Sequence, residues 1–221
     1  CKMHMILRTL AKKNLKTRSS SSCLMSPMSG MEPKRDLEAW NKNRNLKESH
    51  NCFSYAMNSI DGKLMKKCAE TNDCNVGFPQ PGYASGYGHF PDKHIKGCTN
   101  MVSRLWGDNP DVKPIEFHER CPNKTSKIAL IVDPKRDYHF VRQDSDGTWS
   151  HKPGAMDVTT LDASGRTIIR PDRALFVYKN HKDPLQYTKF CGYHCVPRGK
   201  PLYLMTTARG CLLYTSDAAD E

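Results

Sequence analysis

The sequence predicts an α+β fold in which N-terminal helices pack on a C-terminal antiparallel sheet. Three observations carry this expectation: apolar residues recur at helical spacing in the first half of the chain, strand-like runs follow in the second, and a tight-turn signal separates two of those runs. The chain has 221 residues, 38% hydrophobic and 26% charged, with a mean hydropathy of −0.68. That is enough chain to bury a core without disulfides or metal. No apolar run approaches the roughly 20 residues of a membrane-spanning helix, so no membrane is expected.

The elements follow in order. Residues 1–30 hold Lys2, Arg8, Lys12, Lys13, Lys16 and Arg18, no acids and the run Ser19–Ser22, which predicts a disordered basic tail and is similar in composition to an organelle transit peptide. The body is expected over 31–210. Its first element is a short polar helix at Asp36–Asn45. Phe53, Ala56, Met57 and Ile60 then mark one helical face, with Asn51 as N-cap and Asp61-Gly62 as the stop, so Cys52 falls on the first turn. Residues 77–91 contain seven Gly or Pro and read as a binding loop or connector carrying Gln80, Tyr83, Tyr87 and His89. Thr99–Trp106 is a second short helix. Lys127–Asp133 is a buried strand, and Asp137–Asp144 with Thr148–Lys152 form a hairpin around Ser145-Asp146-Gly147. Further strand signals lie at Thr167–Ile169 and Ala174–Tyr178. The last eleven residues, CLLYTSDAADE (211–221), read as a non-native, adapter-derived tail.

A thiol hydrolase needs a cysteine whose thiolate is accessible, a histidine to exchange its proton, and a polar group to orient that histidine. A helix start favours the thiolate, which points to Cys52 as nucleophile. His139 and His151, one on each arm of the hairpin, are the base and its orienting group. The loop decides between two registers. A three-residue loop with Gly147 left-handed pairs Asp144 with Thr148 and places Val141 opposite His151, so the two histidines share a face. A two-residue Asp146-Gly147 turn would separate them, and the orienting role would pass to Asp162. Cys98, also preceding a short helix, is the rival nucleophile.

The order helix Cys, strand His, polar residue on the next strand resembles that of NlpC/P60-type, papain-like cysteine peptidases and amidases. Over residues 50–197 the chain is also similar to an uncharacterised group found in large DNA viruses and some microbes, through NCFSYAMN, QPG, DYHFVRQDSDGTWSHKPG, DASG and FCGYHCVP. The resemblance implies a papain-like fold and hydrolysis of a peptide, amide or ester substrate through a Cys52 acyl-enzyme with His139 as general base. Asn51 and Gln80 are then the candidate oxyanion donors beside the Cys52 N–H, and Tyr83 and Tyr87 would contact substrate. The compact DCSGF-like motif of bacterial cell-wall members is absent, so no peptidoglycan substrate is implied. The alternative is a catalytically inactive binding module of the same fold, zinc-stabilised or contacting nucleic acid.

Lys+Arg 34 against Asp+Glu 23 gives a formal charge of +11, rising to +14 without the acids of the 211–221 tail. Basic residues are spread along the body and no nucleic-acid motif accompanies them, so a solvated basic surface is the expectation. Ten cysteines invite a metal or disulfide reading. Cys191-x₃-Cys195 and Cys68-x₅-Cys74 make two poor zinc knuckles; disulfides linking these pairs and reduced, buried thiols are the other readings. No cofactor or catalytic metal is expected. Asn123-Lys124-Thr125 is a lone glycosylation sequon.

Overall fold

The structure, a computed structural model, describes residues 25–72, 74, 77–88, 97–178 and 184–208. His89, most of the basic tail and the 211–221 tail lie outside these residues. The body begins earlier than 31. Ser26 is buried, donating to the Phe117 carbonyl (2.9 Å) and accepting from Lys127 Nζ (2.7 Å), while its own carbonyl accepts from Gln143 (2.8 Å).

A single wide helical turn at Glu38–Lys42 leads into α1 (Arg44–Ser49), α2 (Cys52–Met57) and α3 (Gly62–Thr71). After the Gly/Pro-rich loop comes α4 (Cys98–Asp108), followed by β1 (Lys113–Ile115), β2 (Thr125–Asp133), β3 (Asp137–Gln143), β4 (Trp149–His151) and β5 (Lys189–Pro197). The strands form one antiparallel sheet in the order β1-β5-β2-β3-β4. The helices-then-sheet order holds. The expected strands at Thr167–Ile169 and Ala174–Tyr178 are reduced to isolated bridges, Leu161↔Thr167 and Val177↔Gln186. Asp61 does not simply end α2. That helix stops at Asn58, left-handed at φ 54°, and Asp61 caps α3 by accepting from Lys63 N.

Alternation along the strands sorts the core into two layers. Ile128, Leu130, Val132, Tyr138, Phe140 and Val196 face α2 and α4, meeting Phe53, Ala56, Met57, Met101 and Leu105. Ala129, Ile131, Val141, Trp149 and Tyr193 face the other way and are covered by Phe117, Ile168, Phe176 and Tyr187. The helices therefore cover only one face; irregular chain between β4 and β5 closes the other. Each fully buried aliphatic or aromatic side chain adds roughly 1.5–3 kcal/mol, so both layers are needed to hold the sheet.

Three disulfides join described residues: Cys68–Cys74, Cys98–Cys191 and Cys121–Cys195. Two expectations change. Cys191 and Cys195 do not pair with each other, because four residues along a strand hold Cα atoms well beyond the 7 Å that a disulfide spans. Cys98 is tied to Cys191 and so cannot be a nucleophile. The cysteine pairs hold no zinc arrangement: among the described residues no His/Cys/Asp/Glu cluster could bind a metal, and no helix is long and apolar enough to cross a membrane.

Candidate active site

Asn51 opens α2. Its Oδ1 accepts from Ser54 N (3.1 Å), which sets Cys52 as the first helical residue. Six residues are too few for an autonomous helix, so tertiary contacts hold α2. Two guanidiniums bind its last carbonyls: Arg142 reaches Tyr55 O (3.0 Å), and Arg198 reaches Ala56 O (2.9 Å) and Met57 O (2.6 Å). At the other end Lys152 Nζ donates to the carbonyls of Lys47 (2.5 Å) and His50 (2.7 Å), pinning the junction between α1 and α2.

The hairpin takes the three-residue loop. Asp144 N donates to Thr148 O (2.9 Å), Gly147 N to Asp144 O (2.8 Å), and Gly147 is left-handed at φ 82°. Val141 accordingly lies opposite His151, and His139 Nε2 is 2.7 Å from His151 Nδ1. His151 Nε2 sits 3.0 Å from the Leu161 carbonyl. A carbonyl only accepts, so His151 Nε2 carries the proton and donates. In the neutral ring Nδ1 must then accept, from His139 Nε2–H. His139 Nδ1 is left as an unprotonated lone pair, with no hydrogen-bond partner among the described residues. Both rings are neutral: burial and the neighbouring His151 push His139 well below the usual imidazole range, and burial lowers His151. Asp162 plays no orienting part, since its carboxylate is filled by Ser164 N, Ser164 Oγ, Arg166 N and Leu175 N.

Cys52 is the free cysteine among the described residues, and it is buried. It packs with Tyr138 and Phe140 on the α2 face of β3, whereas His139 and Val141 point to the opposite face, where His139 meets Phe176 and Tyr187. The Phe140 backbone N–H donates toward the sulfur. No hydrogen bond joins Cys52 to either imidazole. The helix start was expected to favour a thiolate; instead burial, aided by Asp137, pushes the thiol up to about 12 against the pull of the Phe140 N–H and Lys152. Thiol and imidazole are thus both neutral and on opposite faces of β3.

The loop residues divide. Asn51 Nδ2 is spent on Pro79 O (2.9 Å) and Tyr138 Oη (3.4 Å). Gln80 Oε1 accepts from Tyr138 Oη (2.6 Å), and its Nε2 has no acceptor among the described residues. Tyr83 is buried rather than displayed, and Tyr87 lies under the Arg104 guanidinium at 4.9 Å. The loop is clamped by α4. Asp108 accepts from Gly82 N (2.6 Å) and from Ser85 N and Oγ (2.8 Å each), while Arg104 donates to Gly88 O (3.0 Å). Gly82, at φ 91°, has no room for a Cβ, which would sit 2.7 Å from Arg104 Cγ. Sequence reasoning missed Arg104, Asp108 and Lys152. The signal for Lys152 was its place in WSHKPG; nothing local marked the other two.

No family model and no solved structure matches the chain. Insoluble matrix shell protein 1 of Ruditapes philippinarum is 33% identical over 137 residues, covering 62% of this chain and 77% of that protein. The chain belongs to its family.

Proposed function

We propose that the protein is a thiol hydrolase, a papain-like peptidase or amidase, that cleaves an amide or ester through a Cys52 acyl-enzyme. The observation that carries the reading is the directed chain Leu161 O, His151, His139, which leaves one basic nitrogen, His139 Nδ1, on the strand whose Phe140 N–H donates toward the single described free thiol. Nδ1 takes the thiol proton as the sulfur forms its bond to the substrate carbonyl carbon. The Cys52 N–H and Gln80 Nε2 receive the developing oxyanion. Collapse expels the amine or alcohol, which leaves with the proton held on Nδ1. Water, deprotonated by the same nitrogen, then cleaves the thioester. Substrate binding has to bring Sγ to Nδ1, because the two lie on opposite faces of β3 and are not hydrogen-bonded.

The test is labelling by a thiol-reactive amide or ester probe. Cys52→Ala should abolish labelling, and His139→Ala should slow it by about 10²–10⁴-fold, the range for a general base. Labelling that survives Cys52→Ala, or is indifferent to His139→Ala, overturns the proposal.

A second reading is favoured by the family membership together with the three disulfides: a non-catalytic, disulfide-stapled component of an insoluble extracellular matrix. It predicts no probe turnover and incorporation into matrix that is unchanged by Cys52→Ala.

A further inference from the structure

We propose that Lys152 is a positioning residue for Cys52: its buried ammonium fixes the turn that presents the thiol and supplies the positive charge against which a thiolate forms. This rests on Cys52 being the nucleophile. Lys152 follows His151 directly, and strand alternation sends the two side chains to opposite sides. His151 goes to His139. Ser150, on the other face, meets Tyr55 Oη of α2 (2.7 Å), and Lys152 runs to the α1–α2 junction. One short segment thus contacts both halves of the proposed site.

The partners of Lys152 require its ammonium form. The side chain is fully buried, and Nζ donates to three carbonyls: Lys47 (2.5 Å), His50 (2.7 Å) and Gly154 (2.6 Å). Three acceptors require three N–H groups, which only the ammonium has. Lys152 is therefore held as the ammonium, although burial lowers it to about 8, and no carboxylate among the described residues is in contact with it. A buried unpaired charge is costly, and a helix C-terminus with its neighbouring carbonyls offsets that only in part. A thiolate two residues beyond the His50 carbonyl is the counter-charge this geometry accommodates.

The other charged groups are few. Around Lys152, burial opposes the ammonium most and brings it to about 8; Cys52 favours it, Lys47 opposes it and Asp157 favours it. The His50 ring, buried and neutral, adds no charge. Around Cys52, Asp137 opposes the thiolate, and Tyr138 and Tyr187 stay protonated because burial raises both. Lys152 is the cation that favours the thiolate; the remaining support is the Phe140 and Phe53 N–H groups.

The experiment is the pH dependence of Cys52 alkylation by iodoacetamide, in which the thiolate sulfur bonds to the methylene carbon and iodide leaves. It is run on the full chain with Cys1, Cys23 and Cys211 replaced by Ser, and Cys52 is followed by peptide mass spectrometry. Lys152→Gln keeps two N–H donors but no charge. It should shift the alkylation profile upward by at least one pH unit, a tenfold or greater loss of rate at pH 8, whereas Lys152→Arg should restore most of it. A Lys152→Gln profile superimposable on the parent overturns the proposal, as does a Lys152→Arg profile displaced as far as Lys152→Gln, since shape alone would then matter. If Lys152→Gln does not fold, Lys152→Arg against the parent decides by the same profile: coincidence supports the fixed charge, displacement overturns it. Alkylation needs no substrate, so failure of the hydrolase reading would show in the probe experiment while leaving this profile intact.

Discussion

His151 has one ring nitrogen committed to a carbonyl, and that commitment fixes the proton on the ring beside it. The consequence can be separated from packing by two replacements. His151→Gln can present an amide oxygen to His139 Nε2–H, whereas His151→Phe fills the space but leaves that donor buried and unpaired, at a cost of about 1–3 kcal/mol. We expect His151→Phe to slow probe labelling at least tenfold and His151→Gln to retain most of the rate; equal loss in both would show that the ring contributes shape rather than a defined tautomer. The pairing of His139 with His151 was legible in the sequence because a turn is local: the loop Ser145-Asp146-Gly147 and one left-handed glycine set the register, and strand alternation does the rest. The protonation state of Cys52 was not legible, because burial depends on residues distant in sequence. Phe53, Tyr138 and Phe140 close over a helix start that, read alone, favours a thiolate.

At the level of elements, α2 shows how little of a short helix is its own doing. Its N-terminus was readable from Asn51, but its C-terminus is stabilised by Arg142 from β3 and Arg198 from beyond β5, 84 or more residues away. Replacing Arg198 by Met removes both donors to Ala56 O and Met57 O, together with the bond to Ser126 Oγ (2.7 Å). With two buried carbonyls stranded, the expected loss is about 2–5 kcal/mol, read as a lower urea midpoint with unchanged slope; a change below about 0.5 kcal/mol would mean water replaces the guanidinium. The strand that binds the sheet together, β5, escaped the sequence reading for a physical reason. FCGYHCVP is interrupted by Gly192 at φ 111° and by a register shift opposite Leu130/Ile131, so its alternation is broken and its cysteines stand out instead. The same cysteines turn out to staple β5 to α4 and to the segment before β2. The polar helix α3 was hidden because Asp61-Gly62 reads equally as a stop and as a cap followed by a first turn.

For the whole molecule, the fold stores four of its histidines neutral. His50 and His194 are each lowered to about 4 by burial, and His139 and His151 are lowered too. Among the described residues neither ring nitrogen of His194 has a hydrogen-bond partner; the ring packs against Trp106 with centroids 6.3 Å apart. A base whose folded value lies below its unfolded value of about 6.5 binds protons preferentially in the unfolded chain, so stability is full above pH 6.5 and falls as pH drops toward the folded value. Each such histidine contributes a slope of about 1.4 kcal/mol per pH unit over that window, and a group moved to about 4 contributes about 3 kcal/mol across it. Asp108, raised by burial, acts in the opposite direction, but as one group against four. Urea midpoints should therefore decline steadily from pH 6.5 to 4. The size of that decline tests the burial of individual rings. His194→Phe removes one titrating group while keeping an aromatic ring against Trp106, and it should flatten the decline by about one histidine's share. An unchanged slope in that variant would mean that His194 takes up a proton in the folded state near its ordinary value, which would require water at its ring nitrogens and an opening between α4 and β5.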